Sequence, residues 1–217
     1  MIDLVIRGAT VYDGTGGPPI GGDVAVDAGR IVSVGAPLPE GAAASVIEAS
    51  GLAVAPGFID LHTHSDVSML SEPGCISAIE QGVTTQAVGL CGFSAAPVSD
   101  ATLAAMIEEE PVFAFPDVAW NWHSIAGWRS AVEDARPATN VTTFVGHNTL
   151  RRYVVGTANR PPTAEELATM GDLVRRAIDE GARGAAAPRV LSGRGLSYWS
   201  DGKEERDRKS TCLNSSH

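Results

Sequence analysis

Two histidines one residue apart, His62 and His64, close the stretch GFIDLHTHSD (Gly57–Asp66), and a cysteine, Cys91, sits inside GVTTQAVGLCGFSAAP (Gly82–Pro97). Further on, His147 ends NVTTFVGH and Arg151 follows it by four residues. Neutral imidazole and thiolate are both good zinc ligands. In an extended chain, residues two apart share a face, so His62 and His64 can present their rings together, with Asp60 one step behind to orient a ring. The same pair also reads as two polar residues at a strand end, because so short a spacing is easily met by chance. Cys91 has comparable alternatives. Free cysteine is often a buried apolar residue, no base or orienting group marks it as a nucleophile, and Gly89 and Gly92 would let the backbone close around an ion. His147 either closes an apolar strand, or orients a substrate or supports the metal shell. Arg151 is either a solvated or structural arginine or pairs with a substrate carboxylate through two parallel bonds.

These residues need elements to position them. Residues 1–56 read as short strands and tight turns: DLVIRGATVYDG alternates, DVAV and RIVSV flank an Asp27-Ala28-Gly29 turn, and SVIEASGLAVAPG adds a strand pair. Such strands close no core by themselves, which predicts a small β-sandwich completed from elsewhere. After Pro56 strand and helix alternate. GFIDLH, VTTQAVGL and NVTTFVGH are predicted strands, and a fourth begins within GAAAPRV. PGCISAIEQG, NWHSIAGWRSAVEDAR and TAEELATMGDLVRRAIDEG are predicted helices. The last has a Thr163/Glu166 capping box, an apolar face of Leu167, Met170, Leu173, Val174 and Ile178, and Gly181 past its end. Alternating strands and helices imply a parallel sheet, open or barrel-like. The reactive residues fall at the C-terminal ends of successive strands, where barrels and open α/β sheets both place their sites.

The 217 residues are 44% hydrophobic and 19% charged, with a formal net charge of -10. That acidity argues against a nucleic-acid partner. No apolar run reaches membrane-spanning length, and the N-terminus lacks a cleavable signal's apolar block. A cytoplasmic protein without membrane association is expected, its oligomeric state open. Three cysteines, Cys75, Cys91 and Cys212, make no disulfide framework; Cys75 reads as core. The tryptophans of WNWHSIAGW read as helix-to-loop packing, and His123 among them takes no role. The final DRKSTCLNSSH, residues 207–217, breaks with the text before it and resembles a translated sequencing adapter, so Cys212 and His217 are set aside.

Taken in order, three segments resemble the amidohydrolase superfamily and, within it, the N-acyl-D-amino-acid deacylase (D-aminoacylase) branch. APGFIDLHTHSD, following a β-rich module, is similar to the first barrel strand with its metal-binding HxH. GVTTQAVGLCGFSAAP is similar to the second strand, which ends in a metal-binding cysteine within a Gly-Asn-Cys-Gly-Phe-Ser turn; here Leu90 replaces the Asn. VGHNTLRRYVVG is similar to a Gly-His-x-Thr-Leu-Arg segment. The resemblance runs from residue 1 to about 190.

It implies an α/β fold, a truncated (β/α)8 TIM-like barrel preceded by a small N-terminal β-sandwich. The expected domains are residues 1–56 for the sandwich module, 57–206 for the first part of the barrel, and 207–217 as a non-native tail. It also implies zinc held by His62, His64 and Cys91, with His147 and Arg151 on the substrate side. The implied reaction is zinc-dependent removal of the acyl group from a small-molecule N-acyl-D-amino acid. In that branch later strands supply further histidines and an aspartate acting as general acid/base. None is assignable before Asp207, and Asp201 comes too early, so the catalytic residue is unknown and the 217 residues are expected to be inactive alone. Two alternatives stay open: a cyclic-amide hydrolase of the hydantoinase or dihydroorotase type, and a non-catalytic metal-binding protein. The Cys91 turn speaks against the former, whose members usually bridge two metals with a modified lysine. No GxGxxG joins a strand to a helix, which disfavours a dinucleotide-binding sheet.

Overall fold

The computed structural model describes residues 1–187; Asp201, the expected domain end at 206 and the expected tail 207–217 lie outside the described residues. The chain divides into two compact units, Met1–Gly57 and a second that begins at Phe58.

The first unit is one sheet. Its strands are β1 (Ile2–Val11), β2 (Ile20–Asp27), β3 (Arg30–Val34), β4 (Ala43–Glu48) and β5 (Ala53–Val54), in the order β3-β2-β1-β4 with β5 also on β1. The β2–β3 hairpin turns where expected. Ala28 and Gly29 both have positive φ, 49° and 72°, the turn whose handedness suits twisted antiparallel strands. The expected strand pair after Ala44 is not a hairpin: β4 and β5 both run parallel to β1, pairing with its first and last residues in turn. β1 is long enough to serve both. At the break between them Ala49 still donates to the Arg7 carbonyl at 2.8 Å, and the buried Asp23 carboxylate accepts from the amides of Gly8 and Leu38 at 2.9 Å each. Ala9, Val11, Val24 and Ala49 form the small core. Ile31, Val32, Val46 and Ile47 stay exposed, and these strands form one sheet.

The second unit alternates strand and helix. Strands β6 (Phe58–Asp60), β7 (Val83–Val88) and β8 (Asn140–Thr143) lie parallel in that order, and β9 (Val145–Gly146) pairs in parallel with β10 (Ala185–Ala186). Helices α1 (Ser68–Ser71) and α2 (Ile76–Ile79) cross from β6 to β7; α3 (Asp100–Glu109), a 3-10 turn at Pro111–Phe113 and α4 (Ile125–Ala135) cross from β7 to β8; α5 (His147–Val155) and α6 (Ala164–Asp179) lead from β9 to β10. Val67, Val88, Phe113, Trp122, Ile125, Trp128, Leu150, Met170 and Val174 are part of a single core.

Several expectations are corrected here. The third predicted strand does not run on to His147. It breaks at Phe144, whose amide still bonds Val88, while Val145 turns to the Gly184 carbonyl. His147 is instead the first residue of α5. Helix α3 was not anticipated: its capping box pairs Ser99 with Thr102, so the Glu or Gln that usually marks such a start is absent. On α6 the capping box stands as expected, with Glu166 N donating to Thr163 Oγ1 at 3.2 Å and Thr163 N to Glu166 Oε2 at 2.8 Å. Its buried face, however, is Met170, Val174 and Ala177, while Leu167 and Ile178 lie to one flank at 43% and 47% exposure.

Two outcomes follow from α6. Met170→Ala should cost about 2–5 kcal/mol in urea unfolding, and Leu167→Ala less than about 1 kcal/mol. Arg160 grips Glu166 with both terminal nitrogens at 2.7 Å. With the Thr163 amide, that grip holds the Glu166 carboxyl at about 2 against an ordinary 4.5. Its folded pKa being depressed, the stability it contributes is present above pH 4.5 and is lost as pH falls towards 2. Over that window Glu166→Gln should lose less stability than the unaltered chain, as read by thermal melts.

Candidate metal centre

Strand β6 ends at Asp60, so His62 and His64 stand just beyond it, in the connection to α1. The alternation nevertheless persists, since Thr63 donates to the Ala87 carbonyl of β7 at 3.1 Å and keeps the segment extended beside its neighbour. The two rings lie edge to face with centroids 5.5 Å apart. Asp60 does not reach a ring: its Oδ1 accepts the backbone amide of His62 at 3.0 Å. Ser65, next to His64, donates to Gln86 Oε1 at 2.6 Å, and Gln86 passes the chain to Thr139 at 2.8 Å. Each member of that buried network has a partner, which anchors the backbone beside His64. Thr139 ends it on the sulfur of Cys75, which is a core residue as expected.

Cys91 comes from the turn that follows β7. It has φ 53°, left-handed backbone that a side chain rarely adopts, between Gly89 and Gly92 at 77° and 85°. Strained backbone of this kind persists where surrounding structure over-determines it. A Cβ at Gly89 would collide with the carbonyl of Phe144, so this position also demands glycine for space.

The turn carries the sulfur to His62, whose Nε2 lies 2.6 Å from Sγ. One ligand atom each from His62, His64 and Cys91 fall within 4.8 Å of one another. Tetrahedral zinc with bonds of about 2.0 and 2.3 Å would set nitrogen and sulfur roughly 3.5 Å apart. The His62–Cys91 pair must therefore part by about 1 Å to admit an ion. Nδ1 of His64 is buried without a hydrogen-bond partner, an arrangement that suits a ligand nitrogen. Burial, then the nearby His62, lowers the pKa of His64, and burial raises that of the Cys91 thiol. Two nitrogens and a sulfur at this spacing fit a borderline-soft cation such as zinc.

His147 and Arg151 share α5. His147 is buried, and burial depresses its pKa; the Asn148 side chain opposes that shift and the Arg151 charge adds to it. Arg151 is 2% exposed and directs its guanidinium to the carbonyls of Gly156, Ala158 and Arg160 at 3.2, 2.6 and 2.8 Å. It therefore folds the loop after its own helix.

Asp66, two residues past His64, was not singled out from sequence. Its carboxylate is fully buried, and burial raises its pKa to about 7 against the opposing pull of its own amide and those of Ala95 and Gly89. An acid beside an HxH pair was the visible signal, but burial is not legible in a polar stretch. The tryptophans near His123 also do more than pack. Trp128 Nε1 donates to the Asp66 carbonyl and Trp122 Nε1 to the Ala95 carbonyl, both at 2.9 Å, which supports the backbone behind each half of the ligand set. Gly89→Ala should destabilise the chain by more than about 2 kcal/mol, since it adds a backbone collision to a strained φ; urea unfolding measures it.

The amidohydrolase family pattern matches residues 45–192. The chain is 39% identical over 184 residues to an N-acyl-D-aspartate deacylase of Alcaligenes xylosoxydans xylosoxydans, covering 85% of this chain and 36% of that protein. It is 37% identical over 182 residues to a D-aminoacylase of the same organism, covering 84% and 37%. Among solved structures, a D-aminoacylase with a binuclear metal centre superposes with a TM-score of 0.76 at 35% identity, over 87% of this chain and 39% of that one. An N-acyl-D-glutamate deacylase from Bordetella bronchiseptica, complexed with zinc and a phosphonate inhibitor, gives 0.71 at 35% identity, over 86% and 38%. The chain thus spans less than two fifths of the length of these relatives. Among the described residues no helix is long and apolar enough to cross a membrane.

Proposed function

We propose, from the premise that this chain belongs to the amidohydrolase family, that it carries the opening part of a zinc site in a hydrolase of N-acyl-D-amino acids. The observation that carries the proposal is the convergence of His62, His64 and Cys91 ligand atoms within 4.8 Å from two successive parallel strands. The relatives act on, or are named for, small N-acyl-D-amino acids, and one of them holds zinc. The whole protein's reaction would be hydrolysis of a linear amide to a carboxylic acid and a free D-amino acid.

His62, His64 and Cys91 would hold the zinc ion, which would supply Lewis acidity toward the scissile carbonyl and toward water near neutral pH. The chain's own residues provide the frame. Asp60 fixes the His62 backbone, Ser65 and Gln86 fix the backbone next to His64, and the turn after β7 presents the Cys91 sulfur. His147, at the start of α5, is assigned to the substrate side. Arg151 serves that side by shaping the loop at residues 156–160, because its guanidinium is already committed to three carbonyls there.

For the architecture, the parallel strands β6, β7 and β8 with their crossover helices support residues 57 onward as the first part of a (β/α)8 barrel. The exposed Ile31, Val32, Val46 and Ile47 support residues 1–56 as one layer of a β-sandwich.

The chain should bind zinc in equilibrium dialysis, and Cys91→Ala or His62→Ala should weaken binding at least roughly tenfold. In the whole protein, hydrolysis of N-acyl-D-amino acids should fall to background after His62→Ala or chelation. Turnover of cyclic amides alone would overturn the substrate assignment.

A further inference from the structure

Behind Cys91 the two strand-end segments are joined by a small buried polar cluster centred on Ser94 and Thr149. We infer that Ser94 and Thr149 are positioning residues for the Cys91 ligand, locking its turn to the first turn of α5; this rests on the reading of Cys91 as a metal ligand.

The bonds form a closed set. Ser94 N donates to Thr149 Oγ1 at 2.9 Å, and Thr149 Oγ1 donates to the Ser94 carbonyl at 3.2 Å. Gly146 N donates to Ser94 Oγ at 2.9 Å, and Ser94 Oγ donates to the Ala96 carbonyl at 2.6 Å. Each hydroxyl therefore accepts one bond and donates another, so neither is left half-satisfied. Ser94 is 0% and Thr149 4% exposed, which leaves no water to take over a lost bond. Two residues nearer the cysteine, the Gly92 carbonyl accepts the amides of Asn148 and Thr149 at 2.8 and 3.2 Å. These are early amides of α5 that no helical carbonyl can serve, and α5 has no side-chain cap, so the cysteine turn itself caps the helix. The backbones also meet directly: a Cβ at Gly146 would overlap the backbone of Gly92 and Phe93.

The consequence reaches Cys91 because its φ of 53° is held from outside. The next residue is fixed by the α5 amides and the residue three on by both hydroxyls. Removing the Thr149 hydroxyl strands the Ser94 amide and frees the turn to relax, which displaces Sγ relative to His62. The same cluster ties the Cys91 turn to His147, so the ligand and the start of α5 move as one piece.

The test uses the 217-residue chain and two probes, zinc in competition with a chromogenic chelator and cobalt(II) read by its thiolate charge-transfer band. Thr149→Val, nearly the same shape, should weaken zinc binding roughly 10–100-fold and diminish the cobalt–thiolate band, with far-ultraviolet circular dichroism unchanged. Thr149→Ser, which keeps the hydroxyl, should restore both. If Thr149→Val is unfolded, Ser94→Ala carries the test by the same two readouts. A band and affinity unchanged in the folded variant overturn this inference alone, as does a Thr149→Ser that restores neither. A missing cobalt–thiolate band in the unaltered chain overturns the ligand reading and this inference with it.

Discussion

The backbone of the Cys91 turn lies against the backbone of residues 144–149 with no space for a side chain between them. Gly89 faces the Phe144 carbonyl and Gly146 faces Gly92 and Phe93. Contact this close excludes apolar side chains as the means of adhesion, so hydrogen bonds hold the seam: two α5 amides on the Gly92 carbonyl, and the Ser94 and Thr149 hydroxyls beyond it. A buried seam of that kind tolerates little error, because each unpaired donor or acceptor costs its full desolvation. It also explains why β8 ends early. The chain gives up pairing with β7 after Phe144 in order to enter the seam, and Val145–Gly146 pair with Ala185–Ala186 instead.

The proposed ligand set would depend on that seam in the same way that strand-end sites depend on a parallel sheet. Parallel neighbours deliver their C-terminal ends to one edge, so residues just past β6 and β7 meet without any long excursion of the chain. What remains is to stop the meeting segments from drifting. Polar groups buried behind the edge do this: Gln86 with Ser65 on the histidine side, and the indole N–H groups of Trp128 and Trp122 on the carbonyls of Asp66 and Ala95. Most of the residues that hold His62, His64 and Cys91 in place belong to segments far from them in sequence.

Much of the chemistry was nonetheless legible beforehand. The β2–β3 hairpin and the capped helix α6 follow from local rules and stand where the residues said they would, whereas His62, His64 and Cys91, expected at strand ends, lie in the connections just past β6 and β7. Helix α3 has a weak signature in the sequence because its start uses Thr102 in place of an acidic residue. Helix α5 is capped by a carbonyl from a distant turn, which leaves no mark in its own sequence. Because α5 forms, His147 lies at a helix start and not at a strand end, and Arg151 turns towards its own loop. The apolar face of α6 was displaced towards Ala177 because neighbouring elements, and not the helix's own periodicity, select which side is covered.

By itself the sequence determined which residue types with metal-binding chemistry lie close together along the chain and which strands precede them, because residue type and short-range spacing act within a few residues of the chain. Only the tertiary structure decided that Cys91 comes within 2.6 Å of His62, that Asp66 loses contact with water, and that Ser94 finds Thr149. The physical reason is range. These contacts join parts of the chain 29 and 55 residues apart, where no periodicity or propensity operates, and their energies exist only once the intervening helices have brought the strand ends together.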